Sequence, residues 1–230
     1  ANKQGRIAAD HICGRRSAYT GALGTSVLKL FDLTAASTGL NEKQARAAGV
    51  AYDKVVTYSA SHASYYPGAR NMTVKTLFDP ASGRILGAQI VGFDGVDKRM
   101  DVLAAAIRAG LTAEQLTELD LAYAPPYGSA KDPVNMAGYV IENVRAGLVE
   151  QHHWDAVAEL PADGSVILLD VRTPGEVRKQ GLLRSDALHI PLDELRGRLG
   201  ELDKGKKIYV NCYSGLRSYL ACRILSQHGF

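Results

Sequence analysis

Cysteine is scarce in this chain, net charge is small and no apolar run is long, and each shortage narrows what the protein can be. Three cysteines, Cys13, Cys212 and Cys222, cannot build a disulfide framework, and none stands in a Cys-x-x-Cys pair. That usage suits a reducing compartment, so the expected location is cytoplasmic. A net charge of +3 over 230 residues gives no argument for nucleic acid. No window is both long and apolar enough to span a membrane, and no signal peptide is visible at the start. Metal signals are equally thin. His152 and His153 are adjacent, so their side chains point apart, and Asp94, Asp97 and Asp101 lack the spacing of a calcium loop. No metal site is expected.

What is present is enough apolar residue, 46% of the chain, to bury a sizeable core, and the length favours two domains over one. The most informative stretch lies near the end, Lys207 to Ser218. Ile208 to Val210 reads as a buried strand, and Leu216, Leu220, Ile224 and Leu225 recur at helix spacing. Cys212 therefore falls where a strand ends and a helix begins, with Gly215 in the connecting loop. Unpaired backbone N–H groups and the positive end of a helix favour an anion there. Arg217 adds positive charge one turn in. A thiol so placed is expected to ionise readily, and the thiolate is the nucleophile. The alternative is a cysteine that only packs. Cys222, inside the helical pattern, is read that way.

Elsewhere the chain begins with an amphipathic helical pattern, Ala1 to Ile12, closed by Gly14. Gly21-Ala22-Leu23-Gly24 is no dinucleotide loop, because no strand precedes it. Thr25 to Phe31 is mixed apolar, Asn41 to Gln44 opens a short helix, and Asp53 to Tyr58 is strand-like. Met72–Phe78 and Arg84–Val91 read as a hairpin across Asp79-Pro80-Ala81-Ser82-Gly83. A helix over about Asp97–Ala109 and a capping box at Thr112–Gln115 follow. Two segments combine tyrosines with proline, His62-Ala63-Ser64-Tyr65-Tyr66-Pro67-Gly68 and Leu121 to Pro133, whose stiff backbone holds the rings in fixed places. Composition alone places such tyrosines in an interface or a core sooner than in a reaction centre. After Gly147 the pattern changes, and Val166–Val171 is the near-continuous apolar run of a parallel strand.

Several of these motifs carry a resemblance. Cys212-x-x-Gly215-x-Arg217-Ser218, Asp170-Val171-Arg172-Thr173-Pro174 and Ile190 to Leu195 are similar to rhodanese domains, whose cysteine carries sulfane sulfur as a persulfide. Four residues separate Cys212 from Arg217, one fewer than in phosphatases with related loops, which favours sulfur over phosphate. Ala1-Asn2-Lys3-Gln4-Gly5-Arg6, Tyr65-Tyr66-Pro67-Gly68, Gly95-Val96-Asp97-Lys98-Arg99 and Tyr123-Ala124-Pro125-Pro126-Tyr127 through Lys131 to Met136 resemble the pyridine-nucleotide disulfide oxidoreductases. Within that family they are similar to the coenzyme A-disulfide reductases, including rhodanese-fused persulfide or polysulfide reductases.

The resemblance implies an α+β dimerisation domain with an antiparallel sheet, then an α/β rhodanese-like domain with a parallel sheet, incomplete at its C-terminus. Residues 1–18 would be the last helix of a missing FAD-binding domain, 19–147 the dimerisation domain and 148–230 the rhodanese-like domain. It further implies FAD, NAD(P)H and coenzyme A in a complete homodimeric enzyme, acting on coenzyme A or a small persulfide or polysulfide. Tyr65 and Tyr123 correspond to catalytic tyrosines, and Asn2, Tyr66 and Lys131 to coenzyme A contacts. Cys212 and Arg217 would be the sulfur-carrying pair, supported by Gly215, Ser218, Asp170 and Arg172. This stretch alone would be at most a sulfurtransferase, the alternatives being a stand-alone dimeric sulfurtransferase or an inactive rhodanese-type binding module. One departure is the loop Gly181 to His189, which lacks the family's histidine after its first glycine and is one residue longer.

Overall fold

A computed structural model describes residues 2–230; Ala1, the first residue of the opening motif, lies outside the described residues. Helix α1 (Asn2–Ile12) buries none of its side chains. Five strands then form an antiparallel sheet in the order β1-β2-β5-β4-β3, from β1 (Ser26–Leu30), β2 (Leu33–Gly39), β3 (Asp53–Ala60), β4 (Asn71–Phe78) and β5 (Ile85–Gly92). The expected hairpin is β4 and β5, pinned by Asp79, whose carboxylate accepts from the Ala81 and Ser82 N–H groups. Strand β2 was not foreseen. Leu-Thr-Ala-Ala-Ser-Thr-Gly has little apolar alternation, and it is a strand because it lies between β1 and β5.

One face of this sheet is covered by helices α3 (Val96–Ala109) and α5 (Pro133–Arg145). Register sets which residues go inside: Ala36, Ile90, Val74 and Thr57 lie in one cross-strand row and all are buried. Ala36, Ile90 and Val74 meet Met100, Leu103, Ile107, Val134 and Ile141 in a single apolar cluster. Removing each such aliphatic side chain from water contributes about 1.5–3 kcal/mol. The short helix α4 (Ala113–Thr117) starts at Thr112 with the anticipated capping box. At one end of the opposite face, α2 (Glu42–Ala47) lays Glu42 between Lys54 and Lys75. The rest of that face is open: Leu28, Val91 and Tyr58, in the adjacent row, are 63%, 43% and 52% exposed.

The second unit has three parallel strands in the order β7-β6-β8, from β6 (Val166–Asp170), β7 (Leu188–His189) and β8 (Lys207–Asn211). Helices α6 (Pro174–Gln180), α7 (Leu192–Leu195) and α8 (Leu216–Gln227) complete it. Its main core joins Leu169, Val171, Ile190, Leu195, Ala221, Ile224 and Leu225. The sequence placed Leu216 and Leu220 on the apolar stripe of α8, but both are exposed, at 66% and 41%. Ala221 takes their place inward, because the first turn of α8 is committed to the cysteine loop. His153, read as a surface residue, is half-buried beside Lys54; burial, with the nearby lysine, pushes its imidazole pKa down. No described helix is long and apolar enough to cross a membrane.

Candidate functional site

The loop at the end of β8 is built by backbone geometry before any side chain acts. Gly215 has φ +103°, a conformation that L side chains rarely adopt, and it sits at the N-cap of α8. That turn brings its N–H to 3.1 Å from the Cys212 sulfur. Ser218, one turn along α8, places its hydroxyl 3.5 Å from the same sulfur and 2.9 Å from the Gly215 carbonyl. A hydroxyl has one hydrogen. With Cys212 as a thiol, S–H donates to Ser218 Oγ and the hydroxyl donates to Gly215; on ionisation the Ser218 hydrogen can turn to the sulfur instead.

Burial raises the Cys212 pKa, but donation from the Ser218 hydroxyl and from the N–H groups of Ser218, Ser214 and Gly215 outweighs it, and the net shift is downward. Cys222, half-buried in α8, lacks those donors, and burial pushes its thiol up. Ser218→Ala is therefore expected to raise the Cys212 pKa. At neutral pH the thiolate fraction falls, and alkylation should slow about 3- to 10-fold, since one pKa unit is about 1.4 kcal/mol. Stopped iodoacetamide labelling of the Cys212 peptide checks this; an unchanged rate contradicts the role given to the hydroxyl.

Arg217 is placed differently from the expectation. Its guanidinium donates to both Glu176 carboxylate oxygens, at 2.7 Å each, so it does not donate to the sulfur. Its charge still attracts a Cys212 thiolate through space, though less than a free guanidinium would, because Glu176 neutralises much of it. Glu176 was missed from sequence. It also accepts from the Thr173 N–H and hydroxyl at the start of α6, and Thr173-x-x-Glu176 is a legible capping box that could have drawn attention to it. Arg217 thus ties the cysteine loop to α6.

The other end of α6 is held by Arg172. Its Nε and Nη2 donate to the Asp170 carboxylate, Nη1 to Gln180 and Nη2 to the Gly181 carbonyl. Asp170 is fully buried and stands opposite Asn211, the residue before Cys212, in the β6–β8 pairing, and the next N–H, of Val171, donates to the Asn211 carbonyl at 3.1 Å. Arg172 and Asp170 therefore fix the strand end from which the loop departs.

A second group of candidates lies in the antiparallel unit. Tyr65 and Tyr123, 58 positions apart, bring their hydroxyls to 3.2 Å of each other. That shared hydrogen bond raises the Tyr123 pKa above the ordinary phenol value. Both rings are largely exposed, 75% and 50%, so one hydroxyl of the pair stays free to donate outward. Tyr66 turns edge-on to the buried His62, and Lys131 is exposed just before α5. Asn2 is exposed on α1. Among the described residues, Cys212 shares no hydrogen bond with either tyrosine.

Comparison with known proteins agrees with this division. Residues 25–133 match the pyridine nucleotide-disulphide oxidoreductase dimerisation domain, and residues 153–230 match the rhodanese-like domain. The coenzyme A disulfide reductase of Staphylococcus haemolyticus is 41% identical over 140 residues, 60% of this chain and 31% of that protein. The crystal structure of reduced Bacillus anthracis CoADR-RHD superposes over the whole chain with TM-score 0.95 at 49% identity, covering 41% of its own length. A NAD-dependent persulfide reductase from A. fulgidus does so with TM-score 0.87 at 43% identity, covering 40%. The chain thus spans about a third of the length of the curated relatives it matches. It joins a stretch that matches the dimerisation domain of the pyridine nucleotide-disulphide oxidoreductases to one that matches the rhodanese-like domain.

Proposed function

We propose that this chain is the dimerising and sulfur-carrying part of a flavin-dependent reductase acting on coenzyme A disulfide, a persulfide or a polysulfide. The observation that carries the reading is the Cys212 loop, in which the sulfur lies 3.1 Å from the Gly215 N–H and 3.5 Å from the Ser218 hydroxyl, donors that bring its pKa down. The Cys212 thiolate attacks the outer sulfur of a donor such as thiosulfate. The new S–S bond forms as the donor's own S–S bond breaks, sulfite leaves with the electron pair, and Cys212–S–S⁻ remains. The same N–H groups that hold the thiolate suit the terminal persulfide anion. An acceptor such as cyanide then takes the outer sulfur and regenerates the thiolate.

Tyr65 and Tyr123 are assigned to the coenzyme A end of the reaction. The hydroxyl of the pair that stays free can donate to a coenzyme A sulfur, and the exposed ammonium of Lys131 suits the phosphates of that ligand. Tyr66 and Asn2 are assigned to the same contact set by the motif resemblance of the sequence. Flavin and nicotinamide would supply hydride and electron transfer in the complete enzyme. The open row Leu28, Val91 and Tyr58 supports assembly as a homodimer. The unpaired thiols fit a reducing compartment, and the cytoplasm is assigned on that basis.

The test is direct. After incubation with thiosulfate, the Cys212 peptide is expected to gain one sulfur atom by mass, and cyanide should remove it with release of thiocyanate. An unmodified Cys212 peptide, with no thiocyanate formed, would leave the rhodanese-like part as an inert binding module.

A further inference from the structure

We propose that Arg99 is a positioning residue that sets the spacing of the two loops carrying Tyr65 and Tyr123. Arg99 is only 1% exposed, in the first turn of α3, and touches neither phenol. It bonds to the backbone on both sides. Its Nη2 donates to the Ser61 carbonyl at 2.9 Å, just before the Tyr65 loop, and to the Tyr127 carbonyl at 3.4 Å, just after Tyr123. Nε and Nη2 also grip the Asp132 carboxylate at 3.1 and 2.9 Å, while Nη1 donates to Gly95 at 3.2 Å. Asp132 in turn caps α5 through the Val134 N–H at 3.0 Å.

The two loops are also joined directly, since the Ala63 N–H donates to the Gly128 carbonyl at 2.9 Å. A planar guanidinium with five donors reaches these partners in fixed directions, which a lysine ammonium cannot copy. A pair of apolar side chains could fill the same space, but it could not hold the carbonyls of two loops at a set separation. The catalytic meaning of this clamp rests on the reading that the tyrosine pair meets a coenzyme A sulfur; the clamp itself is a matter of geometry. Arg99 belongs to the Gly95–Arg99 motif, for which the sequence offered no role.

Mild one-electron photo-oxidation of the 230-residue chain couples adjacent tyrosines, and peptide mapping identifies the product. Wild type is expected to give a Tyr65–Tyr123 cross-link. Arg99→Lys should keep the fold by circular dichroism but lower that yield roughly tenfold or more, because the fork is lost while the charge remains. In a second variant, Arg99→Met with Asp132→Asn, no unpaired charge is left buried and asparagine still caps α5; the same loss is expected. Arg145→Met, which removes an arginine bridging other loops, should leave the yield unchanged.

A wild-type yield in either folded Arg99 variant overturns the proposal. So does loss of folding in both, which would make Arg99 a folding residue. The tyrosine reading fails separately: calorimetry showing that Tyr65→Phe and Tyr123→Phe bind coenzyme A like wild type would remove it while leaving the cross-link result intact.

Discussion

Cys212→Ala is expected to reduce sulfur transfer from thiosulfate to cyanide by about 10³-fold or more, to the uncatalysed background, as removal of a covalent nucleophile does. Nothing else near the loop can substitute. Ser218 presents a hydroxyl, which is not ionised at neutral pH, and Cys222 lies further along α8 with its thiol pKa pushed up by burial. Cys222→Ser should therefore retain close to full activity. The fold of Cys212→Ala should be unaffected, since Cys212 is half-buried and its partners are a loop N–H and an exposed-side hydroxyl. Measured thiocyanate production at equal protein concentration separates the cases. Wild-type rates from Cys212→Ala would move the chemistry elsewhere.

The largest stability effect is expected at Asp170. Asp170→Asn keeps the shape but leaves the buried Arg172 guanidinium without its counter-charge, which costs about 3–5 kcal/mol. Urea unfolding followed by circular dichroism should show the midpoint fall with the slope unchanged. The pH dependence has a definite sign. Burial alone would raise the Asp170 pKa, but hydrogen bonds from the Arg172 side chain and N–H and from Asn211 bring it below the ordinary carboxylate value.

A carboxyl depressed on folding contributes stability above its unfolded pKa, about 3.9, and loses that contribution as pH falls through the folded value. Wild type should accordingly lose stability on acidification below about pH 4, and Asp170→Asn should show less of this loss. Because Asp170 stands opposite Asn211, the residue before Cys212, in the β6–β8 pairing, the variant should slow sulfur transfer as well as weaken the fold. Equal stability of the two proteins would mean the pair is not needed to hold the strand end.

How much of this was legible beforehand depends on how local the signal is. The β4–β5 hairpin, the α4 capping box and the strand–cysteine–helix unit were readable because turn and cap residues act over a few positions. Strand β2 was not, since its small and polar residues become a strand only by pairing on both sides. The stripe of α8 was misjudged at Leu216 and Leu220, where the helix serves a loop before it serves the core.

At the candidate sites, the candidate residues can be picked out along the chain, while their partners cannot. Arg217 could be seen, but its bond to Glu176 spans 41 positions; the Tyr65–Tyr123 contact spans 58 and the Arg99–Asp132 bridge 33. Such pairings follow from topology, which brings the ends of separate elements together, and no local spacing encodes them.

On this reading, backbone amides and one hydroxyl hold a sulfur anion at Cys212. The pH profile of Cys212 alkylation in the Cys222→Ser protein measures this most directly. The expected midpoint lies below that of a free thiol, about 8.5, and moves upward in Ser218→Ala. A midpoint at or above the free-thiol value, unmoved by Ser218→Ala, would contradict it.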